Sequence, residues 1–366
     1  MKVLVMGGSL FNGRSLVRHL VDQGHHTTVC NRGRTPIEYP PGVDRRLADR
    51  TDHGALRSAL AGDQWDAVID MTAYHPGDVE VMVDLLDGRV SHYVFISSTV
   101  TYATGTPCPI TEDAPTERGD EQNEYGLDKL RCEDVLDRAH RERRFPATTV
   151  LLSMVLGPHN ALPDREQRMF ERMRRGRPIL MPGAGQTRGI VGHVDDQSGA
   201  LVALLGRPES FGRRFNCTGT DPHTDRRYID TFAEVVGTDP DLVPIPASLM
   251  DALWDGRVAV SAPSGPRSAM DIRPTDAAFE RARRHAHRFQ LGNITQRLQP
   301  NLHRWDTDVV FSVEALQRVT GWEPRYDFPG AVAQTHRWWC DAGRPGAGDY
   351  DFAWEDEILE LVAAEQ

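Results

Sequence analysis

The feature that most constrains the fold is the opening stretch MKVLVMGGSLFNG, where an apolar run gives way to glycines and then to helical spacing. Met1 to Met6 carries Val, Leu and Met without regular alternation, the pattern of a strand buried on both faces of a parallel sheet. Gly7-Gly8-Ser9-Leu10-Phe11-Asn12-Gly13 makes the turn, and Ser15-Leu16-Val17 to Leu20-Val21 continues as a helix. Strand, glycine turn and helix open a dinucleotide-binding βαβ unit, in which N–H groups at the helix end face a pyrophosphate. Glycine serves there because a Cβ would hold the backbone off the phosphate. Alone, such a turn also fits an ordinary tight βα connection. Its position and the matching features downstream raise the dinucleotide reading, with residues Gly7 to Gly13 as cofactor contacts.

The spacing predicts a second strand at Thr27 to Cys30, ending in Asn31-Arg32-Gly33-Arg34 without a carboxylate. An acidic residue at this point accepts hydrogen bonds from the adenosine ribose, whereas an Arg accommodates a 2′-phosphate. The stretch therefore leans toward NADP(H), with Arg32 and Arg34 beside the phosphate. A solvated basic loop is the alternative, and Asn31 can still bond a ribose, which leaves NAD open. A third strand spans Asp44 to Asp49, placing Asp49 and its neighbour Arg50 toward the adenosine, although Asp49 fits a turn equally well. After a fourth strand, Trp65 to Met71, the residues Met71, Thr72 and Ala73 leave room for ribose and nicotinamide, and Tyr74 follows toward the substrate. His75, beside Pro76-Gly77, reads as a surface residue rather than a base.

A fifth strand, His92 to Ile96, ends in Ser97-Ser98-Thr99-Val100-Thr101-Tyr102, and Tyr125-Gly126-Leu127-Asp128-Lys129 opens a helix downstream. Tyr and Lys four apart share a helical face, and an ammonium near a phenol favours the phenolate. Tyr125 can then exchange a proton with a substrate alcohol, while a strand-end hydroxyl orients the same oxygen. A YxxxK match by itself is unspecific; the Ser-Ser-Thr strand end after a glycine turn gives it context.

These motifs, with Leu156-Gly157-Pro158, Gly192-His193-Val194-Asp195-Asp196, Arg214-Phe215-Asn216 and Gly321-Trp322-Glu323-Pro324, resemble the extended short-chain dehydrogenase/reductases, the NAD-dependent epimerases and dehydratases, over nearly the whole chain. The resemblance implies a catalytic set of Ser98, Tyr125 and Lys129, with Tyr125 and Lys129 also meeting the cofactor. Thr99, the alternative to Ser98, is a substrate contact with Tyr74, His159, Asn160 and His193. It implies a homodimer and a tightly held cofactor. The chain departs from the family pattern in three places. Leu10 replaces the middle glycine, as in atypical members resembling the chloroplast stem-loop-binding proteins, whose Asn-Arg-Gly stretch is similar too. Thr99-Val100 stands where the nucleotide-sugar dehydratases carry Asp-Glu, and Ser153-Met154 replaces an Arg-Pro. Glu112, His159 and His193 are candidates for an acid or base in their stead.

The chain has 366 residues, 26% charged and 39% hydrophobic, enough for a full core and two lobes. The expected architecture is α/β: a doubly wound, Rossmann-type parallel sheet over residues 1–157, with 188–220 returning to it. A smaller C-terminal substrate lobe takes 158–187 and 221–366. Five scattered cysteines without CxxC spacing argue against a disulfide framework or metal site, and the N-terminus shows no secretory signal, which together fit a reducing cytoplasm. A net charge of −11 and the lack of a long apolar run argue against nucleic-acid and membrane partners. Arg165, Arg168, Arg172, Arg174, Arg175 and Arg177 could hold a substrate phosphate, though a solvated helix face accounts for most of them. The run Arg281 to Arg288 reads as an exposed helix, with an anion lid or RNA patch as the alternative. Asp195-Asp196 reads as a helix cap. The expected chemistry is oxidation of a secondary alcohol of a sugar-like or nucleoside-type substrate, then epimerisation or β-elimination, then hydride return. A net NADPH-dependent ketone reductase and a non-catalytic RNA-binding or sensor protein are the alternatives.

Overall fold

A computed structural model describes residues 1–162, 165–262, 286–295 and 303–365. Its centre is a seven-stranded parallel sheet. The strands are β1 (Lys2–Met6), β2 (His26–Asn31), β3 (Asp44–Leu47), β4 (Ala67–Asp70), β5 (Tyr93–Ser98), β6 (Ala147–Leu152) and a last strand, Arg213–Cys217. Their order across the sheet is Arg213–Cys217, β6, β5, β4, β1, β2, β3, so the chain reverses direction between β1 and β4. In an open parallel sheet a crevice forms at that reversal, outside the carboxyl ends of the strands. β1 is paired on both sides, Val3 to Met6 against β4 and Lys2 to Met6 against β2, which is why its run is apolar without alternation. β3 is an edge with every side chain exposed, Leu47 among them.

Helices cover both faces. On one, α1 (Phe11–Asp22) packs against a later helix, Val194–Leu204, over Val3, Val5, Leu16, Val17, Leu20, Ala200 and Leu201. On the other, α2 (His53–Leu60), α3 (Pro76–Leu86) and α4 (Glu124–Arg143) cover Leu4, Val68, Tyr93 and Phe95. Gly192–His193 pairs with Val155–Leu156 in a separate two-stranded sheet, and Arg213–Cys217 pairs with β6 in the main one.

A second core gathers α5 (Glu166–Arg174), the helices Asp225–Val236 and Phe328–Asp341, and Trp339 at 1% exposure. A third surrounds the parallel pair Ile179–Pro182 and Leu242–Ile245, with Trp254, Trp354 and Ile358. Two expectations are corrected here. Asp195 and Asp196 do not cap their helix, because His193 is the cap and accepts from the Asp195 N–H at 3.2 Å. Asp195 instead accepts from Ser15 Oγ and Arg18, and Asp196 accepts from the Arg325 and Tyr326 N–H groups, so each clamps a distant segment. Among the arginines around α5, Arg174 and Arg175 are exposed, as a solvated face requires, but Arg168 and Arg172 are not. Arg168 and Arg172 are 1% and 3% exposed and share Glu355, Arg174 and Arg175 bind Glu171, and Arg177 binds Asp356. Buried guanidinium groups need such partners to offset desolvation. Of the Arg281–Arg288 run, residues 281–285 lie outside the described residues, and His287 and Arg288 contact the Trp254 carbonyl.

Candidate functional site

The glycine turn is shaped by contacts that admit no side chain. Gly7 and Gly8 hold φ of +107° and +84°, and a Cβ on Gly13 would stand 2.8 Å from the Gly8 nitrogen. Leu10, in place of the middle glycine, is the N-cap residue of α1 in extended backbone, with no side-chain cap. The first turn of α1 carries no acidic residue, so its N–H groups and helix dipole are free for an anion. A backbone cradle that any Cβ would fill is what a dinucleotide pyrophosphate requires, and these residues fit one.

At the end of β2, Asn31 Nδ2 lies within hydrogen-bond distance of the Gly7 carbonyl at 3.2 Å and of Ser9 Oγ and Tyr39 Oη at 3.0 Å each. Tyr39 came from no motif, since it lies in an irregular loop. Arg32 is exposed, and Arg34 lies 3.7 Å from Asp49, which also accepts from the Thr51 hydroxyl and N–H. Arg50 is turned inward: it donates to both oxygens of the fully buried Asp70 at 2.7 and 3.1 Å and to Thr72 Oγ1 at 3.0 Å. Tyr93 donates to the same carboxylate at 2.7 Å. Arg50 thus secures the loop after β4, where Met71, Thr72 and the buried Ala73 follow Asp70.

That loop meets the candidate catalytic set. Lys129 is 2% exposed, and its Nζ donates to the Ala73 carbonyl at 2.7 Å and the Ile96 carbonyl at 2.8 Å. The ammonium also lies 4.8 Å from the Tyr74 ring centre and 5.6 Å from that of Tyr125. Burial lowers its pKa to about 8. Ser98 ends β5 and caps the short turn Thr99–Thr101, its Oγ accepting from the Val100 N–H at 3.3 Å. Asn123 caps α4 in the same way, accepting from the Gly126 N–H at 2.7 Å, which fixes Tyr125 in the first helical turn. Tyr125 is 39% exposed as a residue, yet its phenol stands in desolvated surroundings that raise its pKa. Tyr74 reinforces that rise, whereas a hydrogen bond with Ser98 and the charge of Arg165 oppose it. The three side chains therefore converge at the end of β5 and the start of α4.

The candidate substrate residues divide. Tyr74 stands beside Tyr125, ring centres 6.3 Å apart. Thr99 is 1% exposed, with its hydroxyl toward the Leu152 carbonyl at 3.5 Å. His193 is 2% exposed, held by the Asp195 N–H and by Gln334 at 3.0 Å. His159 lies edge-on to Trp338 at 4.9 Å, its pKa lowered to about 4 by burial and then by Arg14 and Arg18. Asn160 Nδ2 donates to both oxygens of Glu166 at 3.0 and 2.9 Å. Glu166 is fully buried, and burial raises its pKa to about 7. Glu112 accepts from the Asn216 N–H at 2.9 Å. His75 is more than a surface residue: it caps α3 in a reciprocal box with Asp78 and bonds Asp128, next to Lys129, at 2.6 Å. Among the described residues no cluster of His, Cys, Asp and Glu could hold a metal, and no helix is long and apolar enough to cross a membrane.

A seven-stranded doubly wound sheet with a glycine cradle and a Tyr–Lys helix defines a Rossmann-type dinucleotide fold. The chain belongs to the NAD dependent epimerase/dehydratase family, whose model matches residues 3–218. It is 26% identical over 374 residues to the chloroplast stem-loop binding protein of 41 kDa b from Arabidopsis thaliana, covering 98% of this chain and 84% of that protein. It is 28% identical over 253 residues to 2'-dehydrokanamycin reductase from Streptomyces kanamyceticus, covering 68% and 70%. Among solved structures, the dTDP-glucose 4,6-dehydratase from Bacillus anthracis in complex with NAD superposes with a TM-score of 0.69 at 14% identity, over 95% of this chain and 99% of that one.

Proposed function

We propose that this chain is an NAD(P)-dependent enzyme that oxidises a secondary alcohol of a sugar-like substrate and returns hydride to the resulting ketone, an epimerase. The observation that carries the reading is the convergence of Ser98, Tyr125 and Lys129 beside the loop Thr72–Tyr74. Gly7 to Gly13 would bind the pyrophosphate, and Asn31 and Arg32 the adenosine side, with Arg32 favouring a 2′-phosphate. When bound, the nicotinamide supplies a reversible hydride acceptor. Tyr125 takes the alcohol proton as the C–H hydride leaves and gives a proton back when hydride returns. Ser98 orients the substrate oxygen, and the Lys129 ammonium stabilises the phenolate. Epimerisation by hydride return to the other face of the ketone needs no second acid or base. Glu112 and His193, two candidates for one, already serve protein partners, the Asn216 N–H and Gln334. This supports epimerisation over elimination.

Net reduction of a ketone is the second reading, favoured by the likeness to 2'-dehydrokanamycin reductase and by Arg32. A homodimer and a sugar-like partner belong to the same proposal. Mass spectrometry of what the purified protein releases on denaturation separates the readings. Stoichiometric NAD or NADP supports the closed cycle, whereas an empty protein that binds NADPH reversibly supports the reductase. A protein that binds neither overturns both.

A further inference from the structure

The chain carries two lysines, Lys2 and Lys129, against 40 arginines. An arginine keeps its charge wherever it is placed, whereas a buried lysine gives up its proton readily. Lys129 is 2% exposed and, among the described residues, has no carboxylate within ion-pair distance. Its Nζ donates to the Ala73 and Ile96 carbonyls, and three aromatic rings stand round it. From nitrogen to ring centre, Tyr74 lies at 4.8 Å, Phe95 at 5.0 Å and Tyr125 at 5.6 Å, each within the range at which a cation is drawn to a ring. They come from three elements: the loop after β4, β5 and α4. The other charged or titratable groups that reach the ammonium are Cys132 on α4, Asp70 on β4, Asp78 on α3 and Arg50. Cys132 is a buried thiol whose pKa is pushed up to about 12 by desolvation, so it stays neutral. Asp70 and Asp78 both face Arg50, at 2.7 and 3.3 Å.

We infer that Tyr74 and Phe95, with the Tyr125 ring itself, cage the Lys129 ammonium and keep it charged against its burial, which makes Tyr74 a positioning residue that acts through Lys129. The face of an aromatic ring is negative, and its attraction for a cation grows as water is excluded. A carboxylate in the same place would also hold the charge, but it would cancel the pull of the ammonium on the phenol. Rings hold the charge without cancelling it. The consequence for turnover rests on the Tyr125 reading, whereas the charge state of Lys129 does not.

The test is a pH titration of the full chain labelled with 13Cε-lysine, followed by NMR at equal cofactor occupancy in every variant. Only two lysine signals arise, and Lys129→Met assigns them. In Tyr74→Leu the Lys129 midpoint should fall by about one pH unit, because a cation–π contact is lost from a desolvated site. Tyr74→Met, which keeps the bulk but not the ring, should show the same fall and serves if the Leu variant does not fold. Tyr74→Phe, which restores the ring, should stay within about 0.3 unit of wild type. Lys2, over Trp65 and paired with Asp63, should not move in any of them. An unchanged Lys129 midpoint in the Leu and Met variants would overturn the proposal. So would a rise toward the value of a solvated lysine, which would make Tyr74 a plug against water, or a parallel shift of Lys2, which would mark general loosening. If Tyr125→Phe retained turnover while Tyr74→Leu still lowered the Lys129 midpoint, the redox reading would fail and the cage would stand.

Discussion

Lys129 offers a prediction that needs no substrate. Its ammonium is buried with two carbonyl acceptors, and its pKa falls from 10.5 to about 8 because burial penalises the charge. The folded state therefore holds fewer protons than the unfolded state between those two values, so stability rises with pH across that window. The penalty is fully present below about pH 8 and amounts to at most about 3 kcal/mol, from about 1.4 kcal/mol per unit. Integrated between about pH 7 and about pH 9.5, the linkage returns about 2 kcal/mol. Replacing Lys129 by Met removes the penalty and also strips the Ala73 and Ile96 carbonyls of their donor, at a cost of roughly 1–3 kcal/mol each. Near neutral pH these effects largely offset. As pH rises, the wild type should gain on Lys129→Met by about 2 kcal/mol. Urea unfolding of both proteins without cofactor, followed by circular dichroism at several pH values, measures the difference. Parallel stability curves would refute the argument that a charged, desolvated lysine stands beside Tyr125.

Asp70→Asn leaves the buried Arg50 with the Asp78 carboxylate at 3.3 Å as its remaining counter-charge and should cost about 3 kcal/mol, read as a lowered Tm. Arg32→Ala should weaken NADPH by roughly 10- to 100-fold while sparing NADH, measured by nucleotide fluorescence. Equal losses for the two nucleotides would remove the basis for an NADP preference.

The sheet was legible because its signals are local: a buried parallel strand shows as an unbroken apolar run, and β1, β4 and β5 all do. Gly7, Gly8 and Gly13 were legible for the same reason, since the turn dictates them. Ion pairing was not, because it depends on partners far along the chain. Arg168 and Arg172 meet Glu355 some 180 positions away, and Arg50 meets Asp70 across the sheet. A helical count alone shows such arginines as exposed charge. His193 likewise looked available beside two carboxylates, when its ring is taken up capping its helix and bonding Gln334. Tyr39 and Glu166 carry no spacing signal, and only folding brings them to Ser9 and Asn160.

The most direct test of the account is turnover by Tyr125→Phe, on whichever sugar or ketone the wild type converts, alongside its affinity for the cofactor. The account predicts a loss of about 10³-fold or more with cofactor binding kept, because the substitution removes only the proton-transferring oxygen. Turnover within a few-fold of wild type would contradict it.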